Sequence, residues 1–148
     1  MYRIPIANQC LFQPLPLQKQ LRAWAILALT SRVAKAWLSI QLVDADVSAA
    51  LNNQYRGIDK ATNVLSFPLQ IPVKQALPVL GDLVVCPSIV WQEAQTQEKA
   101  YHDHFCHIIL HGVLHLLGYD HVQATEAQVM EEIEIQLLAQ LAIPNPYD

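Results

Sequence analysis

The stretch His111-Gly-Val-Leu-His115-Leu-Leu-Gly118-Tyr-Asp-His121 decides how the second half of this chain folds. Residues four apart lie on one face of an α-helix, so a helix through His111 and His115 presents both imidazoles to one point. Gly118 can end that helix in the left-handed conformation, because glycine carries no Cβ. The chain can then turn back toward the helix. The spacing therefore predicts that His121 joins the other two histidines.

Three histidines in this arrangement are typical of a metal site. A single histidine, or a pair four apart, is more often an ordinary surface or core residue, and the third histidine behind the glycine favours a metal instead. Three neutral imidazoles with an open fourth position are typical of a catalytic zinc ion, whereas structural zinc sites are closed by four ligands. We therefore predict one zinc ion bound by His111, His115 and His121.

The same spacing matches the H-x-x-x-H-x-x-G-x-x-H skeleton of the long zinc-protease motif. Those proteases carry glutamate directly after the first histidine, where it acts as the general base. In this chain that position is Gly112. The stretch therefore indicates a zincin-like metal helix and argues against peptide hydrolysis.

Other polar residues lie close to the three histidines in the sequence. His104 and His107 fall on the same helical stripe, and we expect them to orient a ligand or to pack rather than to bind the metal. Asp120 can accept the distal N–H of a ligand or cap the next helix. Cys106 is out of phase with His111, which favours a place in the core.

Length and composition indicate one domain, residues 1–148, without a membrane span. No apolar run reaches the roughly 18 residues that a span needs, and the first residues do not resemble a signal peptide. The three cysteines, Cys10, Cys86 and Cys106, form no C-x-x-C pair. They are typical of reduced, buried thiols in a cytoplasmic protein.

Hydrophobic periodicity predicts alternating strands and helices without a linker or a repeat. Alternation and turn residues place strands at residues 2–8, 37–43, 62–67 and 80–86. Helical patterns cover residues 17–33, 46–53, 88–98, 101–117 and 125–141, and residues 68–79 are predicted to be a loop. The predicted fold class is α+β (mixed α/β), with a small mixed sheet of about four strands packed with about five helices.

Charge is distributed unevenly along the chain. Residues 1–74 hold eight of the nine Lys and Arg against three acidic residues, whereas residues 75–148 hold one cation against ten acidic residues. This polarity is compatible with an anionic partner that approaches the metal across the first half. It is equally compatible with an ordinary solvated surface.

A second segment carries residues suited to binding a substrate: Arg56-Gly-Ile-Asp-Lys60-Ala-Thr-Asn63-Val-Leu-Ser-Phe-Pro68. Arg56 offers a planar fork of donors suited to a phosphate, and Lys60 offers a point charge. From the residues alone, a surface turn that enters an edge strand is the favoured interpretation.

Together, the Arg56–Pro68 segment, Gly81-Asp-Leu-Val-Val-Cys86 and the histidine motif closely resemble the YbeY family of bacterial endoribonucleases and ribosomal RNA maturation factors. The resemblance covers the chain from about Leu51 to its end. It implies a single mixed α/β domain, zinc on the three motif histidines, and a cytoplasmic enzyme that cleaves single-stranded RNA. It also implies a role in 16S rRNA 3′-end maturation and ribosome quality control, with the small ribosomal subunit and assembly factors as partners.

The mechanism that the resemblance implies is metal-assisted hydrolysis of a phosphodiester. Zinc lowers the pKa of its water toward about 7, which makes a glutamate after the first histidine dispensable. The resemblance implies catalytic roles for His111 and Arg56, with Arg56 stabilising charge on the phosphate. Lys60 and Asn63 would bind and position the strand. The nucleophile stays open between the metal-activated water and the 2′-hydroxyl of the RNA.

Two other classes of function remain. A protease-like, metal-dependent hydrolase of another bond would have the same three histidines. An assembly factor with a mainly structural zinc would have the same motifs and the same metal but would not catalyse a reaction. The first is disfavoured if Arg56 lies in the same cleft as the metal. The second is disfavoured if the protein leaves the fourth metal position open.

Overall fold

The computed structural model describes residues 1–69 and 77–148, which form five strands and five helices. The strands are β1 (Tyr2–Arg3), β2 (Ile6–Asn8), β3 (Ala36–Leu42), β4 (Val64–Pro68) and β5 (Val79–Val85). The helices are α1 (Gln18–Leu29), α2 (Ala45–Arg56), α3 (Pro87–Thr96), α4 (Tyr101–Leu116) and α5 (Ala124–Gln140). Residues 70–76 of the predicted loop lie outside the described residues.

The strands form one mixed sheet, which confirms the predicted α+β class. β1 and β2 pair in parallel with one edge of β3, and β5 pairs in parallel with the other edge. β4 lies at the end of the sheet and is antiparallel to β5, with Leu65 opposite Val84. Thus β4, the strand that follows α2 in the chain, occupies the sheet edge.

The predicted opening strand at residues 2–8 is divided into β1 and β2. The division falls at Ile4 and Pro5, and proline has no N–H to donate to a neighbouring strand. The carbonyl of Pro5 still accepts the Ile40 N–H at 3.0 Å, so the segment follows β3 across the break. This division accounts for the fifth strand.

The first two helices differ from the predicted bounds, for local reasons. Thr30 has a ψ of 136°, outside the helical region, so α1 ends at Leu29 and does not continue to residue 33. α2 extends three residues beyond the predicted end, as far as Gly57 in the left-handed conformation. Asn52 supports this extension, because its buried amide donates to the Lys60 carbonyl at 2.8 Å.

α4 is the central helix of the fold. It packs against α1, α3, α5, β4 and β5, and Phe105, Ile109, Leu110 and Val113 on it are fully buried. The free Cys106 is also buried in this core, as predicted, and burial raises the pKa of its thiol to about 12. A helix held on so many sides gives its remaining polar side chains a defined direction.

Within residues 1–69 and 77–148, the helices are too short or too polar to cross a membrane.

Candidate metal centre and adjoining cleft

The structure brings His111, His115 and His121 together at the end of α4. Their ring centroids are 4.7 Å apart for His111 and His115, 4.9 Å for His115 and His121, and 5.6 Å for His111 and His121. One nitrogen of each ring lies within 4.8 Å of the other two. Across the described parts of the chain, no fourth His, Cys, Asp or Glu joins this group.

The turn after α4 places the third histidine. Gly118 has a φ of 102°, and its N–H donates to the His115 carbonyl at 3.0 Å. The next N–H, from Tyr119, donates to the Leu114 carbonyl at 3.0 Å. This is the glycine-dependent helix end that the sequence predicts. Asp120 also serves the turn, because its carboxylate accepts the His121 backbone N–H at 2.7 Å.

A buried carboxylate on α5 orients one of the three histidines. Glu134 is 0% exposed and accepts hydrogen bonds from His111 Nδ1 at 3.1 Å, from Tyr147 Oη at 2.7 Å and from His107 Nε2. Burial acts to raise the pKa of Glu134, but hydrogen bonds from the two histidines outweigh it and lower the pKa to about 2. Glu134 is therefore ionised at neutral pH and can only accept hydrogen bonds.

This contact determines which nitrogen of His111 can bind a metal. Because an ionised Glu134 cannot donate, the proton of the neutral imidazole lies on Nδ1, and Nε2 keeps its lone pair. At His115, burial and the neighbouring imidazoles lower the pKa, which favours the neutral form of that residue. A carboxylate that accepts the second ring N–H of a histidine is the usual support for a histidine that binds a metal. The three residues therefore fit a metal ion.

The residues alone did not identify Glu134, although they carry a signal for it. The buried residues of α5 are Met130, Glu134, Leu137 and Leu138, which recur at helical spacing. An acidic residue at an apolar position of such a face needs a partner, since a buried charge without one is costly. Of the two roles that the sequence leaves open for Asp120, accepting the distal N–H of His111 belongs to Glu134, whereas Asp120 accepts the His121 backbone N–H.

His104 and His107 lie beside the three histidines and not among them. His104 Nε2 is 3.0 Å from a Glu93 carboxylate oxygen, and His107 bonds to Glu134. The donor atoms of His107, His111 and Glu134 are also close enough for a metal ion. The Glu134 carboxylate already forms a hydrogen bond with each of the two imidazoles, so we interpret this second group as a support for His111.

An open cleft of about 580 Å³ adjoins the three histidines. Its other walls come from the end of α2, the residues before β4 and β4 itself. The described lining residues are Tyr55, Arg56, Thr62, Asn63, Val64, Leu65, Ser66, Phe67, His111, His115 and His121. None of them is acidic, although the second half of the chain is acidic overall.

The three predicted substrate-binding residues are placed differently. Arg56 is exposed, lines the cleft and forms no ion pair with the described acidic residues. Asn63 lines the cleft, but its amide nitrogen donates to Glu93 at 3.0 Å and its carbonyl accepts the Val64 N–H at 2.6 Å. Lys60 is exposed and does not belong to the lining. Substrate contacts from Asn63 and Lys60 stay predictions.

Gly112 lets α4 lie close to the sheet. A Cβ at this position would lie 2.9 Å from Leu83 Cδ2 and 3.3 Å from Val64 Cγ2. The Ser66 hydroxyl donates to the Gly112 carbonyl at 3.3 Å, which joins β4 to the helix at the same point. Position 112 therefore faces the sheet, and its lack of a side chain keeps the cleft wall close to the histidines.

A small α+β fold with three histidines, no fourth ligand among the described residues and an adjoining open cleft is typical of a metal-dependent hydrolase. The family model described as Endoribonuclease YbeY matches residues 12–142. The chain therefore belongs to the endoribonuclease YbeY family, which confirms the resemblance and the predicted class of enzyme.

Two curated relatives extend this match to nearly the whole chain. "Endoribonuclease YbeY" of Pseudoalteromonas translucida (strain TAC 125) is 49% identical over 138 residues, which cover 93% of this chain and 91% of the relative. "Endoribonuclease YbeY" of Cellvibrio japonicus (strain Ueda107) is 47% identical over 148 residues, which cover 99% of this chain and 84% of the relative.

A solved structure supports the fold. The solution structure of TM1509 from Thermotoga maritima matches with a TM-score of 0.61 and covers 96% of this chain and 92% of its own. The two sequences are 24% identical, so this likeness concerns the fold alone.

Proposed function

We propose that this chain is a zinc-dependent, single-strand-specific endoribonuclease. It acts as one domain in the cytoplasm, in 16S rRNA 3′-end maturation and ribosome quality control. Its partners are the precursor rRNA, the small ribosomal subunit and assembly factors. The observation that carries the proposal is the shared cleft of Arg56 and the three histidines, which no described acidic residue lines.

The charge of the cleft favours a polyanionic substrate. Arg56 is exposed and unpaired among the described residues, so its guanidinium can donate two parallel hydrogen bonds to a phosphate. Glu93 is turned toward Asn63 and His104, and Glu134 is turned toward His107 and His111. The Asp120 carboxylate, next to His121 in the chain, accepts the His121 backbone N–H and is not among the described lining residues. The acidic second half of the chain therefore does not oppose a phosphate in the cleft.

His111, His115 and His121 would hold the zinc ion, and Glu134 would hold the His111 ring in its binding orientation. When bound, zinc supplies Lewis acidity and lowers the pKa of a water ligand toward about 7. Arg56 would bind the phosphate and stabilise the charge that develops on it. Two nucleophiles are compatible with this arrangement, a water molecule and the 2′-hydroxyl of the RNA.

Two features weigh against the other classes of function. A protease-like enzyme would need a base in the cleft, and no carboxylate is among the described lining residues. An assembly factor with a structural zinc would close the metal site with a fourth ligand, and none of the described residues supplies one.

The test is cleavage of a single-stranded RNA from the 3′ end of precursor 16S rRNA by zinc-loaded protein. We expect His111→Ala to abolish cleavage and Arg56→Ala to slow it by about 100-fold or more, since it removes a donor to the transition state. Lys19→Ala removes an exposed cation on α1, outside the cleft, and should leave the rate unchanged. The same RNA annealed to its complement should be resistant.

Equal cleavage by wild type, His111→Ala and Arg56→Ala would indicate a contaminating nuclease and would contradict the proposal. Loss in His111→Ala with full activity in Arg56→Ala would contradict the assigned role of Arg56. Binding to the small ribosomal subunit without any cleavage would favour the assembly factor.

A further inference from the structure

One aromatic side chain in the cleft is largely exposed to solvent. Tyr55, in the last turn of α2, is 61% exposed and lines the cleft together with Arg56 and the three histidines. Its hydroxyl forms no hydrogen bond with the described residues. Most of the surface of this side chain is therefore accessible to a ligand.

A second aromatic residue holds this ring in place. Tyr55 and Phe67 meet edge to face, with ring centroids 4.9 Å apart and an interplanar angle of 68°. Phe67 lies in β4 and packs against the buried Val43, Leu65 and Val84. The Tyr55 ring is therefore supported from the side of the sheet. Because the ring is already held in place, ordering it when a ligand binds would cost little free energy.

We propose that Tyr55, supported by Phe67, is a stacking platform for one unpaired nucleobase of the strand whose phosphate Arg56 binds. The proposal rests on the proposed function of the cleft and adds to it a binding site for a base. Aromatic rings that stack on bases beside a cation bind single strands with little sequence preference, because every base has a π-face.

The platform also gives a physical reason for single-strand specificity. In a duplex, the two faces of each base are covered by its neighbours, so an aromatic ring gains a face only after a base has been unstacked. Unpaired bases offer a face at lower cost. Single-stranded RNA would therefore engage Arg56 and Tyr55 together, whereas a duplex would engage Arg56 alone.

The experiment is a fluorescence anisotropy titration of zinc-loaded protein with a labelled 2′-O-methyl oligoadenylate, confirmed intact afterwards. We expect Tyr55→Ala to weaken binding about tenfold or more, and Tyr55→Phe, which keeps the ring, to bind as wild type does. Tyr55→Leu should bind as weakly as Tyr55→Ala, because it keeps apolar volume but has no π-face. Val47→Ala, an exposed position on the same helix outside the cleft, should have no effect.

Two further arms separate stacking from phosphate binding. An abasic oligonucleotide of the same length should bind equally to wild type and Tyr55→Ala. Arg56→Ala should weaken binding of both oligonucleotides and reduce the salt dependence, since that dependence reports phosphate contacts.

Wild-type affinity in Tyr55→Ala, together with weakened binding in Arg56→Ala, would overturn the platform and leave the proposed function intact. Failure of the wild type to bind or cleave single-stranded RNA would overturn the proposed function, and the platform with it.

Discussion

At the scale of single residues, Glu134 supports the candidate metal centre from outside the three-histidine cluster. It lies 23 positions from His111 in the sequence, yet it receives that ring's Nδ1–H in the interior of the protein. The same carboxylate also accepts hydrogen bonds from the Tyr147 hydroxyl, near the end of the chain, and from His107 Nε2 on α4. One buried side chain thus joins a candidate metal ligand on α4 to α5 and to the end of the chain.

We expect Glu134→Gln to weaken zinc binding by about 10–100-fold, because the amide no longer fixes the proton of His111 on Nδ1. The measurement is competition with a chromophoric chelator, with circular dichroism to verify the fold. Glu132→Gln changes an exposed acidic residue on the same helix and should keep wild-type affinity. Wild-type affinity in a folded Glu134→Gln protein would contradict the assigned role.

Glu93 gives the stability of the protein a defined dependence on pH. Burial acts to raise the pKa of Glu93, but hydrogen bonds from His104 and Asn63 outweigh it, and the pKa lies below its usual value of 4.5. A carboxyl with a lowered folded-state pKa adds stability above the pKa of the unfolded chain. That stability is lost as the pH falls toward the folded-state pKa.

Urea unfolding of metal-free protein between pH 7 and pH 3 tests this dependence. We expect wild type to be more stable than Glu93→Gln at pH 7, and the difference to shrink once the pH falls below about 4.5. Gln92→Ala, a non-titrating change on the same helix, should follow the wild-type pH profile. A difference between wild type and Glu93→Gln that does not change with pH would contradict the assignment.

At the scale of elements, the turn after α4 connects the end of that helix to His121, a candidate metal ligand. Gly118 has a φ of 102°, and a Cβ there would meet nothing within 4 Å. A substitution at this position therefore strains the backbone and does not disturb the packing. Any movement that relieves this strain displaces His121, three residues further along the chain.

We expect Gly118→Ala to lower the free energy of unfolding by about 1–2 kcal/mol and to weaken zinc binding. Gly57→Ala is the matched control, because Gly57 ends α2 with a φ of 71° and also has nothing within 4 Å of its Cβ position. The control should lose similar stability and keep its zinc affinity. Equal loss of zinc affinity in both variants would show that the effect does not come from the His121 turn.

At the scale of the whole molecule, a metal ion bound by the three histidines would link α4 to the turn beyond it. A ligand that binds only the folded state stabilises it in proportion to the logarithm of its concentration. Zinc binding should therefore raise the stability of the entire domain. This linkage can be measured without any substrate.

Free zinc at about 100 times its dissociation constant should raise the free energy of unfolding by about 2.7 kcal/mol. Urea unfolding with buffered zinc and with EDTA measures the increment. His121→Ala should lose most of it, whereas His102→Ala, an exposed histidine outside the cluster, should keep it. The same increment in His121→Ala and wild type would place the bound zinc elsewhere.

The described helices and strands largely follow the local sequence pattern. α4 begins at the predicted residue and ends one residue early, because helical periodicity and the glycine at its end depend only on near neighbours. The division of the opening strand at Pro5 and the extension of α2 were missed. The extension depends on Asn52 reaching Lys60, a contact between segments that periodicity does not report.

The sequence by itself determined the three-histidine cluster, since two of the histidines share a helix face and the third follows a glycine turn within six residues. Only the tertiary structure decided what surrounds that cluster. The packing of α4 on β4 and β5 brings Arg56, Tyr55 and Phe67 to the histidines, and the packing of α5 brings Glu134. The physical reason is distance along the chain: local periodicity orients neighbouring side chains, whereas partners tens of residues apart are selected by sheet pairing and helix packing.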